Sequence, residues 1–210
     1  MQFDPGCRLC PRLSRFLDEV KIKFPDYHAR PVAPFGDAKA RLLVLGLAPG
    51  MHGANASGRP FTGDFAGILL YQTLYQFGFS SKPESVSGND GLKLFDCRIS
   101  NAVKCLPPQN KPLTSEIYTC NTFLQSELTQ LPKGALIIAL GGIAHKAVLK
   151  AFGLKLSSYK FGHNRLHALN AELQMIDSYH CSRYNTQTKR LTPEMFQQVF
   201  ERARALLAER

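Results

Sequence analysis

The sequence predicts a three-layer α/β/α sandwich around a central four-stranded parallel sheet. Two observations carry that prediction. Four short apolar runs lack the in-out alternation of a half-buried strand, as expected when both faces of a parallel sheet are covered. They alternate with segments of helical periodicity, the pattern of βα units. No repeat or low-complexity tract divides the chain, so residues 1–210 read as a single domain, with the N-terminal segment 1–36 packed onto it.

In chain order, residues 11–24 place Leu13, Phe16, Leu17 and Val20 on one helical face. The proline-rich segment 25–36 reads as an extended crossing. Leu42, Leu43, Val44 and Leu45 form the first strand, which breaks at Gly46. A polar, glycine-rich stretch to Asp64 follows, and then a helix over 65–77 with Phe65, Ile68, Leu69, Tyr71, Leu74 and Tyr75 as its apolar set. The insert 80–91 (SSKPESVSGNDG) reads as a mobile surface loop. A second strand centres on residues 97–100 and ends at Asn101, before the proline-rich KCLPPQNKPL. Thr114 is the expected N-cap of a helix to about Leu128 that carries Cys120. The third strand, 135–140, closes at Gly141-Gly142 and leads into a helix over 144–152. Residues 157–168 look irregular, and a fourth strand over 173–178 delivers Tyr179 and His180. After the loop 181–191, Thr192 and Pro193 open a last helix as N-cap and N1, with Phe196, Val199, Phe200 and Ala203 inward.

The chain holds 26 Lys and Arg against 16 Asp and Glu, a net charge of +10 that favours a polyanionic partner. No apolar run approaches the length of a membrane span, and the first residues lack a secretory pattern. A monomer without a membrane partner, in the cytoplasm and at the nucleoid, is therefore expected. Disulfides are not expected there among the six cysteines. Cys7 and Cys10 form a C-x2-C pair, and Cys105 and Cys120 complete a set of four thiolates able to close a tetrahedral cage. Structural zinc and a [4Fe–4S] cluster both satisfy that donor set, and spacing does not choose between them. Cys97 lies in a strand pattern and reads as core.

The stretch 42–67 organises the rest, because ligands of open α/β sheets bind beyond the carboxyl ends of the strands. Its loop is rich in small polar residues and carries few charges, His52, Arg59 and Asp64. That composition suits a neutral planar guest better than a phosphate chain. The same rim should receive Asn101 and His180. An asparagine amide offers donor and acceptor together, matching a nucleobase edge. Phe61 or Phe65 can stack on the base. A neutral His180 can donate to charge on a departing group, and Asp64 can orient water or face a cationic sugar. Each also has a plainer reading: Asn101 as a turn residue, His180 as a structural histidine, Asp64 as the N-cap of the helix starting at Phe65.

The segments GLAPG-MHGAN-x2-GRPFTGD, SNAVKC and YH-x-SRYNTQT-x-RLT resemble the signature regions of the uracil-DNA glycosylase superfamily, nearest its type-5 branch, with type 4 next. The resemblance implies a monofunctional glycosylase that flips a deaminated base out of DNA and hydrolyses its N-glycosidic bond. Uracil is the expected lesion, with hypoxanthine and xanthine also open. Its implied site residues are Asp64 for the attacking water, Asn101 for the base edge, His180 for the leaving group, and Gly46, Leu47, Ala48, Pro49, Gly50 and Phe61 around the base. It also implies that Cys7, Cys10, Cys105 and Cys120 hold a [4Fe–4S] cluster, structural zinc being the alternative. DNA contacts are expected from Arg183, Tyr184, Asn185, Gln187, Lys189 and Arg190. Gly50, Cys181 and Lys189 depart from the usual motif residues alanine, proline and glycine. A non-catalytic binder of damaged DNA is the rival reading. A nucleotide-binding protein is disfavoured by the lack of G-x-G-x-x-G or G-K-[ST].

Overall fold

The computed structural model describes residues 1–209. Its strands are β1 (Phe35–Gly36), β2 (Leu42–Gly46), β3 (Cys97–Asn101), β4 (Leu136–Leu140), β5 (Leu166–Ala168) and β6 (Gln174–Ser178). The helices are α1 (Pro11–Lys23), α2 (Ala54–Ser57), α3 (Phe65–Gln76), α4 (Thr114–Leu128), α5 (Gly142–Ala151), α6 (Arg183–Gln187) and α7 (Pro193–Ala208). The sheet order is β1-β3-β2-β4-β6-β5, in which β3, β2, β4 and β6 pair in parallel.

Those four inner strands are the predicted ones, and β2 and β4 are buried at every position. One face of the sheet packs Leu42, Val44, Leu136 and Ile138 with residues of α3 and α7. The other packs Leu43, Leu45, Ile137 and Ala139 with residues of α4 and α5. A third cluster joins Leu13, Leu17 and Val20 of α1 to Val103, Cys105, Cys120 and Phe123. Arg12 secures α1 to α4 by a bidentate pair with Glu116, both bonds 2.8 Å.

The structure adds two edge strands to the predicted four. β1 and β5 are only two and three residues long and pair antiparallel at opposite margins. Each is too short for a period to register in the sequence. β5 falls in 157–168, which is therefore not wholly irregular. His167 on β5 donates to Asp177 on β6 at 2.9 Å, and His145 of α5 meets the same carboxylate at 2.7 Å. Helix α4 begins one residue earlier than Thr114's predicted role requires, with Thr114 as its first residue. Leu113 is the N-cap, and its N–H is taken by Glu116 at 2.7 Å. Thr192 caps α7 as predicted, accepting from the Met195 N–H.

The insert 80–91 is not a free surface loop. Arg59, buried under it, donates to Asp90 at 2.7 Å, to Ser85 at 3.1 Å and to the Gly88 carbonyl at 2.5 Å, with Phe35 beneath its guanidinium. Burial would raise the Asp90 carboxyl, yet Arg59 and the N–H groups of Leu92, Ser87 and Val86 hold it well below the usual range. The clamp's contribution is thus complete above the unfolded carboxyl's pKa and is lost as acid titrates Asp90. Replacing Arg59 with Met strands Asp90, so Arg59→Met should cost about 3–5 kcal/mol. Urea denaturation measures this, and an unchanged midpoint would show that the clamp contributes nothing.

Candidate active site

The parallel register brings three strand ends level. Gly46 on β2 lies opposite Asn101 on β3, and the ladder runs past both ends through Ala102 N–H to the Gly46 carbonyl and Val103 N–H to the Leu47 carbonyl, each 3.0 Å. Beyond these ends opens a cavity of about 390 Å³. Leu47, Ala48, Gly50, Phe61, Asp64, Asn101 and His180 line it together, with Phe65 and Arg183 at its sides. Of the predicted base-pocket residues, Gly46 and Pro49 do not line it.

Gly46 lies behind the wall, where its lack of a side chain matters. A Cβ there would sit 2.5 Å from Asn101 Oδ1 and 2.6 Å from the Phe61 ring. Phe61 itself holds a left-handed backbone, φ +55°, which a bulky residue adopts only where the surroundings impose it. Tyr71 Oη donates to the preceding Pro60 carbonyl at 3.0 Å. Gly67 admits the Phe61 carbonyl to a place where a Cβ would meet it at 1.9 Å. The Phe61 ring is thereby fixed 6.0 Å from the His180 ring, at an interplanar angle of 28°.

Asp64 serves as N-cap of α3, its Oδ1 accepting from the Gly67 N–H at 2.8 Å. Burial raises its carboxyl above the ordinary value, against the pull of the Gly67 and Ala66 N–H groups. Asn101 is 4% exposed, and its Oδ1 has no protein partner although it belongs to the cavity wall. Such an orphaned acceptor in a native fold calls for a missing donor. His180 is half-buried between this cavity and a second opening, and burial lowers its pKa to about 4. The site therefore presents a flat ring, an amide with a free acceptor, a carboxyl group and a neutral imidazole in one cavity.

The predicted loop after His180 is in part a helix, α6, capped by Ser182. Tyr184 is exposed on it at 71%, and Gln187, Lys189 and Arg190 are exposed as well. Asn185 turns inward and donates to the His180 carbonyl at 2.8 Å. Arg190 lies 4.8 Å over the Tyr179 ring, beside a second opening past His180. Ala54, Ala66, Asn110 and Ser182 also line the main cavity and were not singled out from sequence. Asn110 follows Gln109 in a left-handed pair, and the turn-rich PPQNKP is the signal that could have flagged it.

Cys7, Cys10, Cys105 and Cys120 surround one small cavity with Leu13, Val103 and Phe123. Burial, then the neighbouring sulfurs, raises Cys105 and pushes Cys10 up to about 11. Thiols crowded this way resist ionising together unless a cationic group joins them. The donor set thus fits a thiolate-bound metal or cluster. A second donor group, His145, His167 and Asp177, lies within 4.8 Å under β6. Hydrogen bonds already engage it, including His145 Nε2 to the Tyr159 carbonyl at 2.9 Å.

Comparison with known proteins joins this geometry to a family. The family model for the uracil DNA glycosylase superfamily matches residues 33–204. The chain belongs to that superfamily. A type-5 uracil-DNA glycosylase of Thermus thermophilus is 47% identical over 206 residues, covering 96% of this chain and 94% of the relative. A type-5 protein of Pyrobaculum aerophilum is 41% identical over 205 residues, covering 95% and 88%. A type-4 uracil-DNA glycosylase of Saccharolobus solfataricus is 27% identical over 199 residues, covering 90% and 85%. Among superfamily branches the type-5 proteins are thus the nearer, as the motifs predict. No helix among the described residues is long and apolar enough to cross a membrane.

The environment of His180 has a measurable consequence. An unfolded histidine takes up its proton near pH 6.5, whereas this ring stays neutral to about pH 4. Folding stability should therefore fall as pH drops through that window, because the unfolded chain binds the extra proton. In an NMR titration the His180 ring should show a midpoint near 4, and one near 6.5 would refute the buried neutral imidazole.

Proposed function

We propose that this protein is a monofunctional DNA glycosylase that removes uracil, and related deaminated bases, from DNA by hydrolysing the N-glycosidic bond. The observation that carries the reading is the convergence of Phe61, Asp64, Asn101 and His180 on one cavity in a chain of this family. The net charge of +10 favours the DNA backbone, and exposed Arg183 at the cavity, with exposed Lys189 and Arg190 further along the same segment, would meet phosphates.

A base inside a duplex cannot reach this cavity, so the nucleotide is everted, at a cost of a few kcal/mol that is least at a mismatch. Tyr184 is the residue best exposed to fill the gap left behind. The flipped ring stacks on Phe61, and its polar edge supplies the donor that Asn101 Oδ1 lacks. Ionised Asp64 holds a water against C1′ of the sugar and stabilises the cationic character that builds there. His180, neutral, donates its N–H to the anion forming on the departing base. Water oxygen bonds to C1′, the C1′–N bond breaks, and the water's proton balances the released base, leaving an abasic site. At about 390 Å³ the cavity falls within the range of small-molecule sites, ~300–1,000 Å³, so purine lesions such as hypoxanthine and xanthine enter as candidates. Cys7, Cys10, Cys105 and Cys120 are assigned to a [4Fe–4S] cluster, which when bound supplies a structural tie and no step of the hydrolysis.

Incubation with a uracil-containing oligonucleotide followed by alkali should yield cleaved strands. Asp64→Ala and His180→Ala should each slow single-turnover excision at least about tenfold, ~1.4 kcal/mol of barrier, while abasic-DNA affinity is largely kept. Binding without alkali-labile sites would mark a non-catalytic binder instead. Anaerobically purified protein should absorb broadly at about 400 nm, as thiolate-ligated clusters do, and Cys105→Ala should abolish the band. A colourless, zinc-bearing protein would overturn the cluster assignment.

A further inference from the structure

We propose that Lys104 is a positioning residue, through which the cysteine site holds Asn101 in place for base recognition. The proposal rests on the reading of Asn101 as the base-edge contact. Lys104 is 1% exposed, a rare state for lysine that is tolerated only when the ammonium is fully partnered. Two hydrogen bonds and one ion pair surround its ammonium. Nζ meets Ser100 Oγ at 2.6 Å, the Asn101 carbonyl at 2.8 Å and Glu127 Oε1 at 2.5 Å. Its backbone N–H donates to Cys120 Sγ at 3.3 Å, and its carbonyl accepts from the Val32 N–H at 2.7 Å.

These bonds span two sites. Cys120 and Glu127 stand seven positions apart on α4, two turns along one face. Lys104 therefore grips the helix that carries a cysteine ligand at two points, and with the same ammonium grips the peptide of Asn101. The Asn101 side chain gets no help from its own Oδ1, which has no protein partner. Its direction is set by its backbone, and the Asn101 carbonyl is held by Lys104. A residue that served only to neutralise Glu127 would need neither the Asn101 bond nor the Ser100 bond.

The test uses the full chain, purified with its cysteine site loaded. Lys104→Met alone strands the Glu127 carboxylate, so the main variant is Lys104→Met/Glu127→Met, which removes both charges at similar volume. Single-turnover excision of uracil from a U·G duplex should slow at least about tenfold. Affinity for an abasic duplex should stay within about twofold, and absorbance per chain should be unchanged. Adding Asn101→Ala to this variant should cost under about threefold, although Asn101→Ala alone costs about tenfold, because the two act on one group. Wild-type speed in the double variant, or fully additive losses, would overturn the proposal while leaving the glycosylase reading intact. A harmless Asn101→Ala in the wild-type background would overturn both. Should the double variant fail to give a cooperative melt, Ser100→Ala decides. It removes one acceptor from Nζ without touching charge, and should slow excision about threefold at unchanged abasic-DNA affinity. No slowing there would refute the role.

Discussion

Parallel pairing between β2 and β3 is the constraint from which the site follows. The match of Gly46 with Asn101 fixes the height at which both chain segments leave the sheet. A slip by one residue would turn Asn101 away from the cavity and put its neighbours on the wrong face. Only glycine tolerates the resulting crowding, since a Cβ at Gly46 would strike both Asn101 and Phe61. The pairing of Leu140 with Ser178 does the same for β6, so that His180 emerges two residues later on the same rim. The heights of these cavity-lining residues are thus set first by the hydrogen-bonded backbone of the sheet.

Burial gives these groups their properties. Burial pushes the Asp64 carboxyl up and the His180 imidazole down, in each case against the charged form. On the proposed reading, Asp64 would hold the water and a neutral His180 would offer one N–H without bringing a charge that repels the cationic sugar. The long polar loop from Gly46 to Asp64 is held by its own scaffold. Arg59 reaches through the 80–91 insert to Asp90, and Tyr71 fixes the Pro60 carbonyl. The left-handed turn at Phe61 persists because both ends are pinned.

Much of this was legible in the sequence because it follows from periodicity and from residue chemistry. The inner strands are apolar without alternation, and the capping pair Thr192-Pro193 marks α7 to the residue. Asp64 combined two readings that sequence alone had set side by side, since it caps α3 and faces the cavity. What escaped were features set by tertiary contact. Nothing local distinguishes the polar insert 80–91 from a free loop, because its anchor, Arg59, lies more than twenty residues earlier in the chain. Nothing local announces that the amide of Asn185, expected among the DNA contacts, is claimed by the His180 carbonyl. The buried ammonium of Lys104 was hidden for the same reason, since its partner Glu127 belongs to another element.

The two short margins of the sheet have a consequence of their own. Without them, the inner strands β3 and β6 would expose unpaired N–H and carbonyl rows, ready to template a neighbouring molecule. Phe35 and Gly36 on one side, and Leu166 to Ala168 on the other, cover those rows with fringes too small to recruit a further strand. Two strands of two and three residues thereby guard the protein against edge-to-edge stacking.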